Sequence, residues 1–126
     1  MNIQKDELIL KSQPNIRDFQ EYVAKMVKQR GFDNETISQI YMLFMEECGE
    51  MAKAIRKLDN IHTDKDSASH KLSDEIADVF IYLLDICNHF NIDLEKAFRD
   101  KEEINKKRNW EKVWEKLFYL LLVRCL

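Results

Sequence analysis

Glycine and proline are nearly absent from this 126-residue chain, which contains two glycines and one proline. An average composition would supply roughly 15 of the two residue types together. Sheet proteins need these residues at their turns, and glycine-rich phosphate loops need them where the backbone approaches the ligand. The shortage argues against a β-sheet architecture and against a phosphate loop, and it favours an all-helical fold.

The chain also has few cysteines, no excess of basic over acidic residues and no long apolar run. The three cysteines are odd in number and lack C-x-x-C spacing, which fits reduced thiols in a cytoplasm better than disulfides or a zinc site. The net charge of −3 argues against a nucleic-acid scaffold. The longest apolar run, 117–123, is far shorter than the ~18 residues of a membrane span, and the N-terminal residues lack the apolar core of a signal peptide. We expect a cytoplasmic protein that binds neither nucleic acid nor membrane.

Helical spacing of apolar residues predicts the first three helices. The first runs from about 16 to 30, between an N-cap at Asn15 and a C-terminal glycine at Gly31. The second covers 37–58 and the third 72–90, and in both the apolar residues recur at steps of four and three. In the second helix these are Ile37, Tyr41, Phe44, Cys48, Met51, Ile55 and Leu58, and in the third they are Leu72, Ile76, Val79, Leu83, Ile86 and Phe90. Such narrow apolar seams pack against each other, so we expect the second and third helices to form an antiparallel pair.

A fourth helix begins at Leu94, and we expect it to continue past Trp110 because no glycine or proline stops it. The fold is then an antiparallel bundle of four to five helices. We divide the chain into an N-terminal arm at 1–14, a helical domain at 15–110 and an apolar helical extension at 111–126.

Acidic residues flank the two seams. Glu47 and Glu50 stand beside the seam of the second helix, and Glu75 and Asp78 stand beside that of the third. Successive helical residues advance by ~100°, which puts both pairs on the same-handed flank. In an antiparallel pair these flanks lie on one side, so the four carboxylates should converge along one edge.

Four converging carboxylates repel one another, so a cation should neutralise them. Oxygen ligands with no histidine or cysteine among them favour Mg²⁺ or Mn²⁺ over zinc. The ordinary alternative is a solvated acidic face, since the chain has 23 acidic residues. A di-iron carboxylate bundle is excluded, because it needs a histidine three residues after a glutamate and no histidine here has that spacing.

The fourth helix carries a stripe that changes from apolar to basic. Leu94 and Phe98 are followed on the same face by Lys101, Asn105 and Arg108. We expect this face to point inward, where the basic side chains either pair with carboxylates or hold phosphate oxygens. Beside a carboxylate–metal edge, such a face indicates a site for a metal-bound polyphosphate.

Three segments, in this order, resemble the EExxE, ExxD and KxxxNxxR pattern of the MazG-like nucleoside triphosphate pyrophosphohydrolases. They are EECGE at 46–50, EIAD at 75–78 and KEEINKKR at 101–108. The resemblance covers about 15–110 and implies an all-α bundle completed by association into homodimers or dimers of dimers. It also implies Mg²⁺-dependent cleavage of a (d)NTP to the nucleoside monophosphate and pyrophosphate, as part of nucleotide-pool housekeeping.

The resemblance also implies roles for individual residues. The catalytic residues would be Glu46, Glu47, Glu50, Glu75 and Asp78, of which the last four would be metal ligands. Glu46 would hold a second metal or orient water. Lys101, Asn105 and Arg108 would contact phosphates, and Phe32 lies in a stretch that resembles the entry to the base pocket.

Two other functions stay open at this stage. One is a helical interaction module whose acids and bases form surface ion pairs, and the other is an enzyme like phosphoribosyl-ATP pyrophosphohydrolase, which shares the fold. A surplus of apolar surface separately predicts association. Phe44 and Phe80 widen the apolar stripes of their helices, and the segment from Trp110 onward adds apolar residues at helical spacing. We expect at least a homodimer.

Overall fold

The computed structural model describes residues 7–59, 61 and 71–108. This part of the chain is all-helical, as the scarcity of glycine and proline predicts. Its helices are α1 (Ile16–Arg30), α2 (Ile37–Leu58), α3 (Leu72–His89) and α4 (Leu94–Lys106). None of these helices is both long enough and apolar enough to cross a membrane. Contacts divide the chain into two compact units, Met1–Glu95 and Lys96–Leu126.

The predicted ends of α1 are confirmed. The Asn15 side chain accepts a hydrogen bond from the Asp18 N–H, and the Asp18 carboxylate accepts one from the Asn15 N–H, both at 3.0 Å. This capping box satisfies two donors that the helix itself cannot satisfy. At the other end, Gly31 has φ +81°, a left-handed conformation that glycine adopts without steric cost. The same device begins α2, where Thr36 and Gln39 form a second capping box.

The core of the first unit lies between α1 and α3. Val23 and Met26 of α1 pack against Leu84 of α3, and all three side chains are buried. The rings of Phe19 and Phe80 meet edge to face with their centroids 5.6 Å apart. Helix α3 also packs extensively against α2. It therefore serves as the common partner of both other helices.

The expectation that the seams of α2 and α3 pack against each other is wrong in part. On α2 the buried residues are Ile40 and Ala54, whereas Tyr41 of the seam is 55% exposed. The seam residue Ile76 of α3 is 51% exposed, and Phe90, which the sequence placed in the same seam and which caps the C-terminus of α3, is 56% exposed. The reason is that α3 packs two helices, which occupy the flanks of its apolar stripe and leave the centre uncovered.

The fourth helix also differs from its prediction, which placed its end beyond Trp110. It ends at Lys106, after which the Lys107 N–H bonds back to the Ile104 carbonyl at 3.2 Å. This i→i−3 bond tightens the last turn, and basic residues at 106–108 are favoured there because a helix C-terminus carries partial negative charge. Leu94 of the expected inward stripe packs against the core between α1 and α3, whereas Phe98 is 67% exposed and no residue of α4 is fully buried. The inward orientation of Lys101, Asn105 and Arg108 stays a prediction.

Parts of the predicted domain division fall outside the described residues. The apolar extension at 111–126 lies entirely there, as does Trp110. Of the predicted arm, residues 7–14 form neither helix nor strand. Leu8 in this segment packs against the core between α1 and α3.

Gly49, in the middle of α2, supplies a test of local helix stability. It is exposed, and no atom lies within 4 Å of the position that a Cβ would occupy. We expect Gly49→Ala to raise the free energy of unfolding by roughly 0.5–1 kcal/mol, because glycine is a poor helix former. Ala52→Gly, one turn further along and also exposed, should lower it by a similar amount. Urea denaturation measures both, and a loss of stability in Gly49→Ala would contradict the open space seen at this position.

Candidate metal centre

Three carboxylates from α2 and α3 meet in the first unit. Glu47, Glu75 and Asp78 each offer one oxygen, and these oxygens all lie within 4.8 Å of one another. Glu75 is only 3% exposed, which is rare for a glutamate. The structure thus brings together three of the carboxylates that the sequence analysis placed on one edge.

Local helical geometry explains how these side chains reach one place. Glu47 stands midway between Ile40 and Ala54, one heptad from each, and so lies on the face of α2 that is buried. Glu75 is in the first turn of α3, where the partial positive charge of the helix N-terminus favours an acid. Asp78 follows by three residues and therefore lies on the same side of α3.

The electrostatics of this cluster favour a bound cation. Burial raises the pKa of Glu47 above its ordinary 4.5, and the neighbouring charges of Asp78, Glu50, Glu75 and Glu46 raise it further. A divalent cation would stabilise the charged form of each acid. The donor set consists of carboxylate oxygens alone, which suits a hard cation such as Mg²⁺ or Mn²⁺. The residues present therefore fit such an ion.

The other predicted site residues take different positions. Glu46 is exposed and Glu50 is half-buried, and both act on Glu47 through their charge without belonging to the group of three. Phe32 follows α1 and is about half exposed. In the second unit, Lys101 and Asn105 lie on α4 and Arg108 lies two residues beyond its end. The Asn105 amide donates to Glu102 Oε2 at 3.4 Å.

Sequence reasoning missed a group of polar residues that borders the carboxylates. Burial raises the pKa of Tyr82, and the charges of Glu47, Glu35, Asp78 and Asp85 raise it further. Burial likewise raises the pKa of Asp85, with Glu35 as its acidic neighbour. Asp78, Tyr82 and Asp85 follow each other at steps of four and three, so their shared face was legible in the sequence.

The charge interactions of Asp78 and Asp85 also show the relative direction of α2 and α3. Early in α3, Asp78 acts on Glu47 in the middle of α2. Later in α3, Asp85 acts on Glu35, which immediately precedes α2. The two helices therefore run antiparallel, as the sequence predicts.

The raised pKa of Glu47 predicts how stability depends on pH. A carboxyl group with a raised pKa binds its proton more tightly in the folded protein than in the unfolded chain. The resulting stabilisation is complete below 4.5, the ordinary pKa, and is lost as pH rises through the folded-state pKa. We expect the metal-free protein to melt at a higher temperature at about pH 5 than at about pH 7.5. The substitution Glu47→Gln should reduce this difference in melting temperature.

Calorimetry in the presence of a chelator measures this difference. Glu21→Gln is the matched control, because it removes an exposed acid from α1 and should leave the difference unchanged. Asp18 does not interfere, because its hydrogen bond from Lys11 lowers its pKa below 3.8. The same difference in melting temperature between the two pH values in the wild type and in Glu47→Gln would contradict the prediction.

Two comparisons with known proteins show which family this chain resembles. Residues 35–111 match the family model of the MazG nucleotide pyrophosphohydrolase domain. A relative from Salmonella phage PMBT28, named dATP/dGTP diphosphohydrolase, is 32% identical over 92 residues, which cover 68% of this chain and 32% of the relative. The chain therefore spans about a third of the length of that relative. Because the family model matches more than half of its residues and includes all three acidic and basic segments, the chain belongs to the MazG nucleotide pyrophosphohydrolase family.

Proposed function

We propose that this protein hydrolyses a nucleoside triphosphate to the nucleoside monophosphate and pyrophosphate. Water adds to the α phosphorus, and the bond between this phosphorus and the oxygen that bridges the α and β phosphates breaks. Pyrophosphate leaves with the electron pair of the broken bond, and the proton of the attacking water is released. The observation that carries the proposal is the meeting of Glu47, Glu75 and Asp78 on the antiparallel pair of a MazG-family fold. The name of the phage relative supports the same class of substrate.

The proposed cofactor is Mg²⁺, with Mn²⁺ as a substitute. Glu47, Glu75 and Asp78 would hold it, and Glu50 would complete the ligand set once the site is loaded. A divalent ion there supplies a Lewis acid for phosphate oxygens and lowers the pKa of a water molecule bound to it. Glu46, exposed beside Glu47, would hold a second ion or orient water. The carboxylates themselves supply oxygen ligands and compensate the positive charge.

The basic residues of α4 would bind the substrate. Lys101 and Arg108 offer the charged donors that phosphate oxygens accept, and Asn105 offers an amide donor between them. Phe32, an exposed ring after α1, would contact the base. We place the reaction in nucleotide-pool housekeeping in the cytoplasm, and the free thiols of Cys48 and Cys87 support a reducing compartment.

The first test is release of pyrophosphate from a panel of canonical and modified nucleotides with Mg²⁺ or Mn²⁺. The panel begins with dATP and dGTP, the nucleotides in the relative's name. We expect Asp78→Asn and Glu50→Gln to lower kcat/KM by about 100-fold or more, since each removes a ligand charge. Both variants should stay folded, because each relieves repulsion among the acids.

Asp74→Asn is the matched control for this assay. It makes the same change of charge on α3, but Asp74 is exposed and lies outside the cluster. Full activity in Asp78→Asn would contradict the ligand assignment. Inactivity of the wild type across the panel with either metal would favour the helical interaction module instead, and release of pyrophosphate from phosphoribosyl-ATP alone would favour that narrower enzyme.

We further propose that two copies of the chain associate through α2 and α3. The exposed seam residues form stripes at heptad-like spacing. Those of α2 are Tyr41, Ile55 and Leu58, and those of α3 and its C-cap are Ile76, Leu83 and Phe90. Exposed apolar surface of this extent is typical of an interface. A second copy presents the same stripes, so a two-fold contact would cover both.

Light scattering tests the association. We expect the wild type to have at least twice the monomer mass at micromolar concentration, and Tyr41→Glu to weaken this because it buries a charge in the interface. Met42→Glu is the matched control, since Met42 is 63% exposed but lies about 100° away around α2. A wild type that is monomeric, or equal effects of the two substitutions, would contradict the proposed surface.

A further inference from the structure

A polar face of α3 leads away from the carboxylate cluster. Asp78, Tyr82 and Asp85 follow one another at steps of four and three, so Asp85 lies on the same side of the helix as Asp78. The helical rise separates these two aspartates by about 10 Å along the axis. Because α2 runs antiparallel to α3, this face extends from Glu47 in the middle of α2 toward Glu35, which precedes that helix.

The far end of this face carries a carboxylate without a donor. Asp85 is half-buried, and none of the described residues donates a hydrogen bond to its side chain. Burial raises the pKa of Asp85, the charge of Glu35 raises it further, and the charge of His89 lowers it. A partly buried carboxylate is stabilised by hydrogen-bond donors. A ligand that brings N–H groups to this position would therefore stabilise the charged form of Asp85.

The charges along the face determine which way round a nucleotide can bind. Acids repel a triphosphate unless a cation lies between them, so the phosphates belong at the metal cluster of Glu47, Glu75 and Asp78. The neutral base must then lie away from the cluster. Asp85 is about as far from Asp78 as the hydrogen-bonding edge of a base is from the α phosphate in an extended nucleotide.

The turn before α2 brings an aromatic ring toward the same end of the face. The Glu35 N–H donates to the Phe32 carbonyl at 3.1 Å, so a tight turn joins these two residues. Glu35 in turn acts on Asp85 through its charge. Phe32 is the ring proposed above to contact the base, and every base offers a face on which such a ring can stack. Discrimination among bases therefore depends on hydrogen bonds to the edge of the base.

An ionised carboxylate only accepts hydrogen bonds, and this property distinguishes the bases. Guanine presents two adjacent donors, N1–H and the 2-amino group, which match the two oxygens of a carboxylate. Adenine and cytosine present an amino group beside an acceptor nitrogen, and thymine and uracil present one N–H between two carbonyl oxygens. A carboxylate repels each of these neighbouring acceptors, so guanine fits Asp85 best.

We propose that Asp85 selects guanine nucleotides, its carboxylate accepting hydrogen bonds from guanine N1–H and the 2-amino group. The assignment rests on the proposed function, in which the metal cluster holds the triphosphate and the α phosphorus is attacked. Asp85 determines specificity in this role and takes no part in breaking the P–O bond. Its substitution should therefore change the preference among bases and leave hydrolysis itself possible.

The test compares dGTP, dITP and dATP in the pyrophosphate-release assay with Mg²⁺. The base of dITP keeps N1–H but lacks the 2-amino group, and adenine has neither of these donors. We expect kcat/KM of the wild type to fall by about ten-fold or more from dGTP to dATP, with dITP between them. In Asp85→Asn the preference for dGTP over dATP should shrink to about two-fold or less, chiefly through a higher KM for dGTP.

Calorimetric titration with the products dGMP and dAMP in Mg²⁺ gives a readout that does not depend on hydrolysis. The Kd for dGMP should rise by about five-fold or more in Asp85→Asn, because the amide turns a donor toward the donors of guanine. The Kd for dAMP should not rise. Asp85→Ser, which removes both carboxylate oxygens, should show the same loss for dGMP, and it replaces Asp85→Asn if that variant does not fold.

Asp74→Asn is the control, since it makes the same change of charge at an exposed position of α3 and should keep the wild-type preference. Equal kcat/KM for dGTP and dATP in the wild type would overturn the role of Asp85 and leave the proposed function intact. An unchanged preference in the folded Asp85 variants would do the same. A wild type that hydrolyses no nucleotide would overturn the proposed function itself, whereas weaker dGMP binding in Asp85→Asn would still support the base contact.

Discussion

Helix α3 packs against α1 with one flank of its apolar stripe and against α2 with the other, and much of the structure follows from this double contact. The contact with α1 is apolar, built on Leu84 and on the edge-to-face rings of Phe19 and Phe80. The contact with α2 carries Glu75 inward to meet Glu47. The centre of the stripe, between the two flanks, stays exposed and is available to another molecule.

The α2–α3 contact includes an acidic cluster that lowers the stability of the metal-free protein and that could hold a cation. A buried Glu75 beside Glu47 and Asp78 carries a desolvation cost and a repulsion cost that a pair of apolar residues would avoid. The raised pKa of Glu47 reflects its own burial and its repulsion by the neighbouring acids. A cation with its own charge offsets them, so the loaded protein should be more stable than the empty one. The apolar contact of α3 with α1 holds the scaffold in place while the acids repel.

The sequence predicts much of this arrangement because the relevant signals are local. The capping box of Asn15, the left-handed Gly31 and the periodic stripes set the bounds of α1, α2 and α3, and angular position alone brought Glu47, Glu75 and Asp78 to one edge. Periodicity does not reveal which part of a stripe meets which helix. A stripe wide enough for two partners has its centre exposed, so the expected packing of seam on seam failed at Tyr41 and Phe90.

Longer-range features were beyond the same reasoning. The end of α4 at Lys106 is set by backbone hydrogen bonds and terminal charge, where the sequence shows only the absence of glycine and proline. The cap that Gln20 gives to Leu94 joins residues 74 positions apart, and nothing near Gln20 in the sequence distinguishes it from a surface glutamine. The border of Tyr82 and Asp85 was legible as a helical face, yet its acidic neighbour Glu35 lies before another helix.

The two buried polar side chains of the described part of the chain, Gln20 and Glu75, illustrate two ways of satisfying a polar group in a protein interior. Gln20 is neutral, so ordinary hydrogen bonds to Asn88, Ile92 and Leu94 suffice, and a neutral group with fixed partners is suited to holding a turn in one conformation. Glu75 lies in the first turn of α3, at the opposite end of that helix from Asn88. It is surrounded by acids, so a positive charge is what would stabilise its ionised form. Asn88, near the C-terminal end of α3, belongs to the neutral network of Gln20, whereas the acidic cluster lies near the N-terminal end of the helix. Because that network contains no charged group, the anchoring of this end of α3 does not depend on whether a cation is bound at the other end.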